Sequence, residues 1–156
     1  MSEEVGLSAQ VLFCGSFRQE LGGKVSIVGL YRGFIGFNSP DGGLPQLVAL
    51  TLLTFGDAWA GKTARVRLTD QNKVLASMDA TLKLAENRPI EALEAVGARA
   101  HVNYVNLPIY IVPFSPPRGS RIRVEVDVES FHFVSDELAV LHAPSPAAPP
   151  PAPQSA

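Results

Sequence analysis

The segment of this sequence whose residue types and spacing could do chemistry is the eight-residue stretch 56–63. It reads GDAWAGKT and matches the phosphate-binding pattern G-x-x-x-x-G-K-[ST]. In that motif the backbone amides cradle phosphates, the lysine reaches the phosphates and the hydroxyl holds magnesium. The segment follows an apolar stretch, as a phosphate-binding loop should. The residues that would act in this nucleotide-binding hypothesis are Gly56, Gly61, Lys62 and Thr63.

The residues after the motif favour a different interpretation. A phosphate-binding loop must lead directly into a helix, whose N-terminus supplies amide donors and a positive dipole. Here apolar residues at 64, 66 and 68 alternate with Arg65 and Arg67, and period two is typical of a strand. The motif also requires parallel strands with crossover helices, and the sequence predicts almost no helix. We therefore interpret 56–63 as a loop between two strands, with nucleotide binding as the alternative.

Other patterns that could support catalysis or metal binding are weak. Asp57 and Asp70 flank a predicted strand and would lie about 20 Å apart at roughly 3.3 Å per residue, too far to share a calcium ion. The sequence has no G-x-S-x-G elbow of a hydrolase. Its three histidines fall at no spacing typical of metal ligands: His101, His132 and His142. We predict no catalytic residue, no metal and no cofactor.

Composition narrows the partner classes. The chain has 156 residues, 13 Lys and Arg, 15 Asp and Glu, and a formal net charge of -2. One domain is the default at this length, and such a balance exerts no electrostatic pull toward nucleic acid or anionic lipid. Cys14 is the only cysteine, so no internal disulfide is possible. Its apolar surroundings indicate a buried, inert thiol.

Targeting signals are not apparent. The first ten residues, MSEEVGLSAQ, are acidic and lack the basic and apolar regions of a signal peptide. No stretch approaches the roughly 18 consecutive apolar residues of a membrane helix. We predict a cytoplasmic protein that binds neither nucleic acid nor membrane.

Alternating apolar residues at 9–37 organise the predicted fold. They indicate two strands joined by a tight turn at Gly22 and Gly23, because Gly-Gly accepts the positive φ angles of hairpin turns. We predict that residues 9–37 form paired antiparallel strands. Residues 46–55 are nearly all apolar, which is typical of a central strand covered on both faces.

The remaining pattern adds further short strands and one helix. Residues 62–69, 74–84 and 121–129 alternate, and residues 100–112 predict a bent or edge strand because Pro108 interrupts them. The phase of alternation flips after 129, which predicts a bulge or turn near Ser130. Pro89 before an apolar-periodic run and Gly97 after it predict a short helix.

These segments predict an all-β fold, an antiparallel two-sheet β-sandwich of immunoglobulin-like or C2-like type with about eight strands and at most one short helix. The predicted domain spans residues 9–142, after an N-terminal extension at 1–8. Residues 143–156 contain six prolines and no large apolar side chain, which predicts a disordered or polyproline II tail.

The first hairpin also resembles a known family. The run Val11-Leu-Phe-Cys14, then Arg18-Gln-Glu and Gly22-Gly-Lys24 leading into a strand, resembles the opening of a bacterial domain-of-unknown-function family of small stand-alone proteins. Pro117-Arg-Gly119, before a late strand, resembles the family's Pro-x-Gly entry to that strand. The resemblance implies an immunoglobulin-like or C2-like sandwich and brings no established activity.

Surface residues carry the remaining functional hypothesis. Trp59 stands in a polar loop, and arginines occupy the outward positions of two predicted strands: Arg65, Arg67, Arg121 and Arg123. Aromatic and arginine side chains are enriched at protein interfaces. We therefore expect a non-enzymatic interaction or structural module that binds another protein, through an edge strand or through this tryptophan and arginine surface.

Overall fold

The computed structural model describes residues 5–86, 88–144 and 149–154. Within these residues it contains ten strands and one short α-helix, which are, in chain order, β1 (Leu7–Gln19), β2 (Val25–Tyr31), β3 (Phe34–Phe37), β4 (Leu47–Gly56), β5 (Thr63–Asp70), β6 (Lys73–Thr81), α1 (Ile90–Ala95), β7 (Val102–Ile111), β8 (Arg121–Val128), β9 (Phe131–Val134) and β10 (Leu138–His142).

The strands form two sheets. The four-stranded sheet has the order β2-β1-β4-β7, and the six-stranded sheet has the order β3-β10-β8-β5-β6, with β9 paired to β8. All pairings are antiparallel except that of β3 with β10. The predicted all-β, two-sheet class is confirmed, with the predicted short helix as α1.

The first hairpin forms as predicted, but it is shorter than expected. β1 and β2 pair from Phe13 opposite Tyr31 to Gln19 opposite Val25, and Gly22 in the turn has φ +77°. The prediction that residues 34–37 continue this antiparallel pairing is wrong, because β3 crosses to the six-stranded sheet and runs parallel to β10. Gly33, with φ +77°, lies at this crossing, where the left-handed conformation favours glycine.

β4 is the central strand of its sheet, as its apolar sequence predicts. It lies between β1 and β7, and residues on both of its faces are buried. Leu47, Ala49 and Leu53 face the six-stranded sheet in the main core. Val48 and Leu50 face the other way, in a second cluster with Cys14 and Phe17, so β4 is covered on both sides.

The six-stranded sheet supplies the other half of the main core. Alternate residues of β5 and β8 are fully buried and face the four-stranded sheet: Ala64, Val66, Leu68, Ile122, Val124, Val126 and Val128. The predicted phase flip is a turn at residues 129–130, where Glu129 has φ +50°. After it, β9 pairs back onto β8 with Phe131 opposite Val128.

The predicted limits of the domain can be compared with the structure at the N-terminal end. β1 begins at Leu7, two residues before the predicted domain start. Residues 1–4, and residues 145–148 and 155–156 of the predicted tail, lie outside the described residues.

Thr51 generates a stability prediction. Its side chain is fully buried on the core-facing side of β4, and its hydroxyl has no hydrogen-bond partner within the described structure. Burying an unpaired hydroxyl costs free energy. Thr51→Val should therefore raise the free energy of unfolding by about 1 kcal/mol, as measured by urea denaturation.

Thr54, on the opposite face of the same strand and half-buried, gives the matched control. Thr54→Val should change stability by less than about 0.5 kcal/mol. A loss of stability in Thr51→Val would contradict the assignment of the Thr51 hydroxyl as unpaired.

Candidate functional site

The segment that matches the phosphate-binding pattern is the tight connection between β4 and β5, hereafter the corner. Residues Asp57–Trp59 form one 3-10 turn, and Thr63 begins a strand. The three amides after the turn all donate to carbonyls of the protein: Ala60 to Asp57 at 3.1 Å, Gly61 to Leu82 at 2.8 Å and Lys62 to Trp59 at 3.2 Å. Amides that are paired in this way do not point outward as a cradle for phosphate.

Each glycine of the motif has a local structural reason. A side chain at Gly56 would clash with the carbonyl oxygen of Val5, and Gly61 has φ +84°, a conformation that favours glycine. Lys62 pairs with Glu129, with 2.8 Å between Nζ and Oε1. The backbone geometry of the corner therefore accounts for the motif's glycines, and the motif's lysine already has a carboxylate partner.

Trp59 packs against the end of the main core. It is half-buried and lies edge-on to Phe131, with ring centroids 6.5 Å apart and an interplanar angle of 75°. Both side chains pack on the cluster of buried residues between the sheets. Trp59 therefore covers one end of the sandwich, in the arrangement that aromatic pairs prefer.

The four predicted partner-binding arginines share the outer face of the six-stranded sheet, on the side away from the core. β5 and β8 are neighbours, with Arg65 opposite Asp127 and Arg67 opposite Glu125. Trp59, which packs on the core side, is not part of this face. The structure thus brings the arginines together but separates them from the tryptophan.

Acidic neighbours pair with all four arginines. The distances are 3.0 Å from Arg65 Nε to Asp79, 3.0 and 2.8 Å from Arg67 Nη2 to Glu125 and Asp127, 3.7 Å from Arg121 to Glu137, and 4.0 Å from Arg123 to Glu137. His132 Nδ1 lies 2.6 Å from Asp127, and this hydrogen bond together with Arg67 lowers the pKa of Asp127. The charges on this face form a network of ion pairs in which each of the four arginines has an acidic neighbour. Exposed ion pairs of this kind contribute little stability.

A second polar cluster, centred on Asp57, joins the β4–β5 corner to the segment between β6 and β7. Asn103 Nδ2 donates to Asp57 at 2.9 Å, and Arg88 Nη1 lies 3.1 Å from the same oxygen. His101 Nδ1 lies 3.0 Å from the other oxygen. Asn103 is buried because β7 pairs it with Phe55, next to the corner.

Hydrogen bonding keeps Asp57 ionised. The amide of Asn103, then Arg88 and His101, lower the pKa of Asp57 from 3.8 to about 2. Arg88 also donates to the carbonyl of Ala100 at 3.1 Å, so the carboxylate is linked to both ends of the connection that contains α1. Sequence reasoning missed this cluster, because its members are 31 to 46 residues from Asp57 and form no motif.

The outer face of the four-stranded sheet, hereafter the uncharged face, differs from the outer face of the six-stranded sheet, hereafter the arginine face. In the part of this sheet where β1, β4 and β7 lie side by side, the residues that point away from the main core are Ser8, Gln10, Leu12 and Cys14 of β1, Val48, Leu50, Leu52 and Thr54 of β4, and Tyr104, Asn106, Pro108 and Tyr110 of β7. None of these side chains is charged. Tyr104 and Tyr110 are 73% and 47% exposed.

A groove opens beside β1 at one edge of the same sheet. It has a volume of 470 Å³ and is lined by residues 9–13 of β1, residues 30–33, and residues 133 and 135–137 from the end of β9 and the β9–β10 connection. Its size lies within the range of small-ligand pockets. The groove, hereafter the edge groove, adjoins the uncharged face along β1.

The sequence was compared with protein families and with curated proteins. No protein-family model matches the chain, and no curated protein is significantly similar to it in sequence. The resemblance of the first hairpin to a bacterial family therefore stays a prediction, as does the cytoplasmic location. Among the described residues, no helix is long and apolar enough to cross a membrane, and no three or more His, Cys, Asp or Glu side chains are grouped so that they could hold a metal ion.

The position of Trp59 predicts a structural role that stability measurements can test. Trp59→Ala should lower the free energy of unfolding by about 2 kcal/mol, below the roughly 3–5 kcal/mol of fully buried aromatic residues, because the ring is half-buried. Lys62→Ala, in the same corner, is the control and should change stability by less than about 0.5 kcal/mol. The reverse order of effects would contradict the assignment of Trp59 to the core.

The Asp57 cluster predicts a pH dependence. Since folding lowers the pKa of Asp57 from 3.8 to about 2, its ionised form stabilises the fold fully above about pH 4 and loses this contribution as the pH falls through about 2. Asp57→Asn should therefore be less stable at neutral pH and should lose less further stability between pH 4 and 2, as measured by urea denaturation at each pH.

Asp41→Asn, in an exposed loop, serves as the control for this experiment. It should follow the wild-type curve. If Asp57→Asn lost stability between pH 4 and 2 as steeply as the wild type, the cluster would not be the source of the dependence.

Proposed function

We propose that this chain is a non-enzymatic module that binds another protein through the uncharged face of its four-stranded sheet. The observation that carries the proposal is the contrast between the two outer faces of the sandwich. Solvated sheet faces are usually polar or charged, as is the arginine face. The uncharged face instead presents Leu, Val, Tyr, Asn and Gln across three strands.

The composition of the uncharged face resembles that of protein interfaces. Charged residues are depleted at the centre of interfaces, and tyrosine is enriched there. The buried centre of the face consists of Cys14, Val48 and Leu50, and exposed Leu30 and Tyr110 extend the same row, opposite Cys14 and Val48 respectively. Because this centre is already buried within the chain, a partner seated here would cover the exposed apolar side chains around it, such as Leu30 and Tyr110, without desolvating a charge, which is the costly step at an interface.

Charge placed on the uncharged face tests the proposal. The variant Tyr104→Glu with Tyr110→Glu should remove captured partners, since an unpaired carboxylate is costly to bury. The control is Phe34→Glu: Phe34 is 59% exposed and lies on the other sheet. Wild type and variants would be cross-linked in lysate of the source cells, and captured proteins quantified by mass spectrometry after circular dichroism confirms folding.

We expect a partner that wild type and Phe34→Glu capture equally and that the tyrosine variant captures at least about tenfold less. Capture that is unaffected by the tyrosine variant would contradict the proposal. So would a rise in melting temperature with millimolar magnesium-ATP or magnesium-GTP that Lys62→Ala abolishes, since bound ligand stabilises the folded state. That result would favour nucleotide binding at 56–63.

A further inference from the structure

One edge of β1 is open along half of the strand. β1 pairs with β4 from Leu7 to Cys14, but with β2 only from Phe13 onward. Among the residues that the structure describes, no strand lies beside residues 7–12 on the side away from β4. In an antiparallel sheet, alternate residues direct their N–H and C=O groups to either side. Part of the backbone at 7–12 is therefore available for pairing, and we call this stretch the open edge.

The path of the chain after β2 creates the open edge. β2 ends at Tyr31, and the chain then crosses through Arg32 and Gly33 to β3 in the other sheet. Had β2 continued straight, it would have paired with the rest of β1. A strand entering from outside would therefore take a place in line with β2, and the edge groove lies at this place.

The sequence of the open edge does not oppose pairing. It reads LSAQVL, without charge or proline. Natural edge strands are usually protected by such residues. β7, the opposite edge of the sheet, contains Pro108, and β6, an edge of the other sheet, contains Lys73 and Asp79. By this measure the open edge is more receptive than β6 or β7. The free edges of β2 and β3 also lack charge and proline, but the edge groove lies beside residues 9–13 of β1.

The shape of the edge groove favours a peptide over a second copy of this chain. One wall is β1, and the opposite wall is formed by Phe133 and residues 135–137 of the six-stranded sheet and its β9–β10 connection. The space between these walls is 470 Å³, far smaller than a folded domain. A second copy that paired through its own β1 would carry its own six-stranded sheet toward residues 135–137.

The charges at the rim indicate the chemistry of the peptide. Asp136 and Glu137 are exposed, and Asp136 has no ion pair within the described residues. Glu137 is paired with Arg121 and Arg123, at 3.7 and 4.0 Å. Among the described lining residues, Asp136 is therefore the carboxylate that has no ion pair and can receive a basic side chain of a peptide.

We infer that the open edge of β1 binds an extended peptide segment of another protein as an added strand, with apolar side chains against Val11, Tyr31 and Phe133 and a lysine or arginine directed to Asp136. Main-chain hydrogen bonds supply affinity in such strand addition, and alternate side chains supply specificity. The inference rests on the proposed function and specifies the kind of partner segment that the sheet recognises.

Selection from a phage-displayed library of random peptides tests the inference with the full-length protein as bait. Peptides of about twelve residues cover the open edge, which spans about 20 Å at roughly 3.3 Å per residue. We expect enrichment of alternating apolar residues with a lysine or arginine. No enrichment, or enrichment of proline-rich or helix-type sequences, would overturn the inference.

The best selected peptide would then be synthesised in two forms, unmodified and N-methylated at alternate amides. Fluorescence polarisation should show at least about tenfold weaker binding for one N-methylated register, since it cannot form the backbone ladder. Hydrogen exchange should show new protection at residues 7–12. Equal binding of all forms, or protection elsewhere, would contradict strand addition.

Charge reversal tests the acidic rim. Asp136→Lys should weaken binding of the basic peptide at least about tenfold and improve binding of a version with glutamate at the basic position. Asp41→Lys makes the same charge change in an exposed loop away from the edge groove and should leave both affinities unchanged. Equal effects of the two variants would overturn the assignment of the rim to the basic side chain.

Three further outcomes identify the occupant of the open edge and separate this inference from the proposed function. If sedimentation shows a dimer whose formation protects residues 7–12, the occupant is a second copy and the peptide assignment is wrong. If the tyrosine variant removes captured partners while no peptide binds at the open edge, the uncharged face is the interface and only the added strand is refuted. If peptides bind at the open edge while the tyrosine variant captures partners as well as the wild type does, the assignment of the interface to the uncharged face is wrong.

Discussion

The structure depends on β4, a strand that has to be covered on both faces and paired on both edges. It pairs with β7 along its whole length and with β1 from Val48 to Phe55. A ten-residue apolar strand would be costly to expose on either face. The inner face packs in the main core, and the outer face is covered within the sheet by Phe17 and its neighbours. This second requirement explains why the uncharged face has an apolar centre.

Local pattern was sufficient to predict the elements that alternate or that are buried on both faces. Periodicity identified β5 and β8, and the phase flip after residue 129 identified the turn before β9. It failed for β3, since a run of four residues with one glycine inside it and another just before it carries no information about which sheet it joins. The crossing at Gly33 depends on pairing with β10, about a hundred residues later in the chain.

The candidate sites show the same division between local and non-local information. The sequence placed the four arginines on outward positions correctly, because alternation fixes the face. It could not show that Asp79, Glu125, Asp127 and Glu137 neutralise them, since those contacts depend on strand order. The Asp57 cluster is non-local for the same reason: the pairing of β4 with β7 brings Asn103 beside the corner. The uncharged face was missed because its residues look unremarkable within each strand and are distinctive only together.

The phosphate-binding pattern at 56–63 shows why a motif needs its structural context. The same eight residues could turn their amides outward if a helix followed, because the first helical amides have no partners within the helix. Here a strand follows, and the amides of residues 60–62 find carbonyls within the corner. The backbone N–H groups of residues 60–62 are thus paired within the protein. At residues 7–12 of β1, where β2 turns away, part of the backbone has no strand to pair with among the described residues. Among the described residues, β1 thus leaves part of its backbone unpaired at residues 7–12, beside the uncharged face, whereas the amides of the neighbouring corner that resembles a nucleotide site are paired.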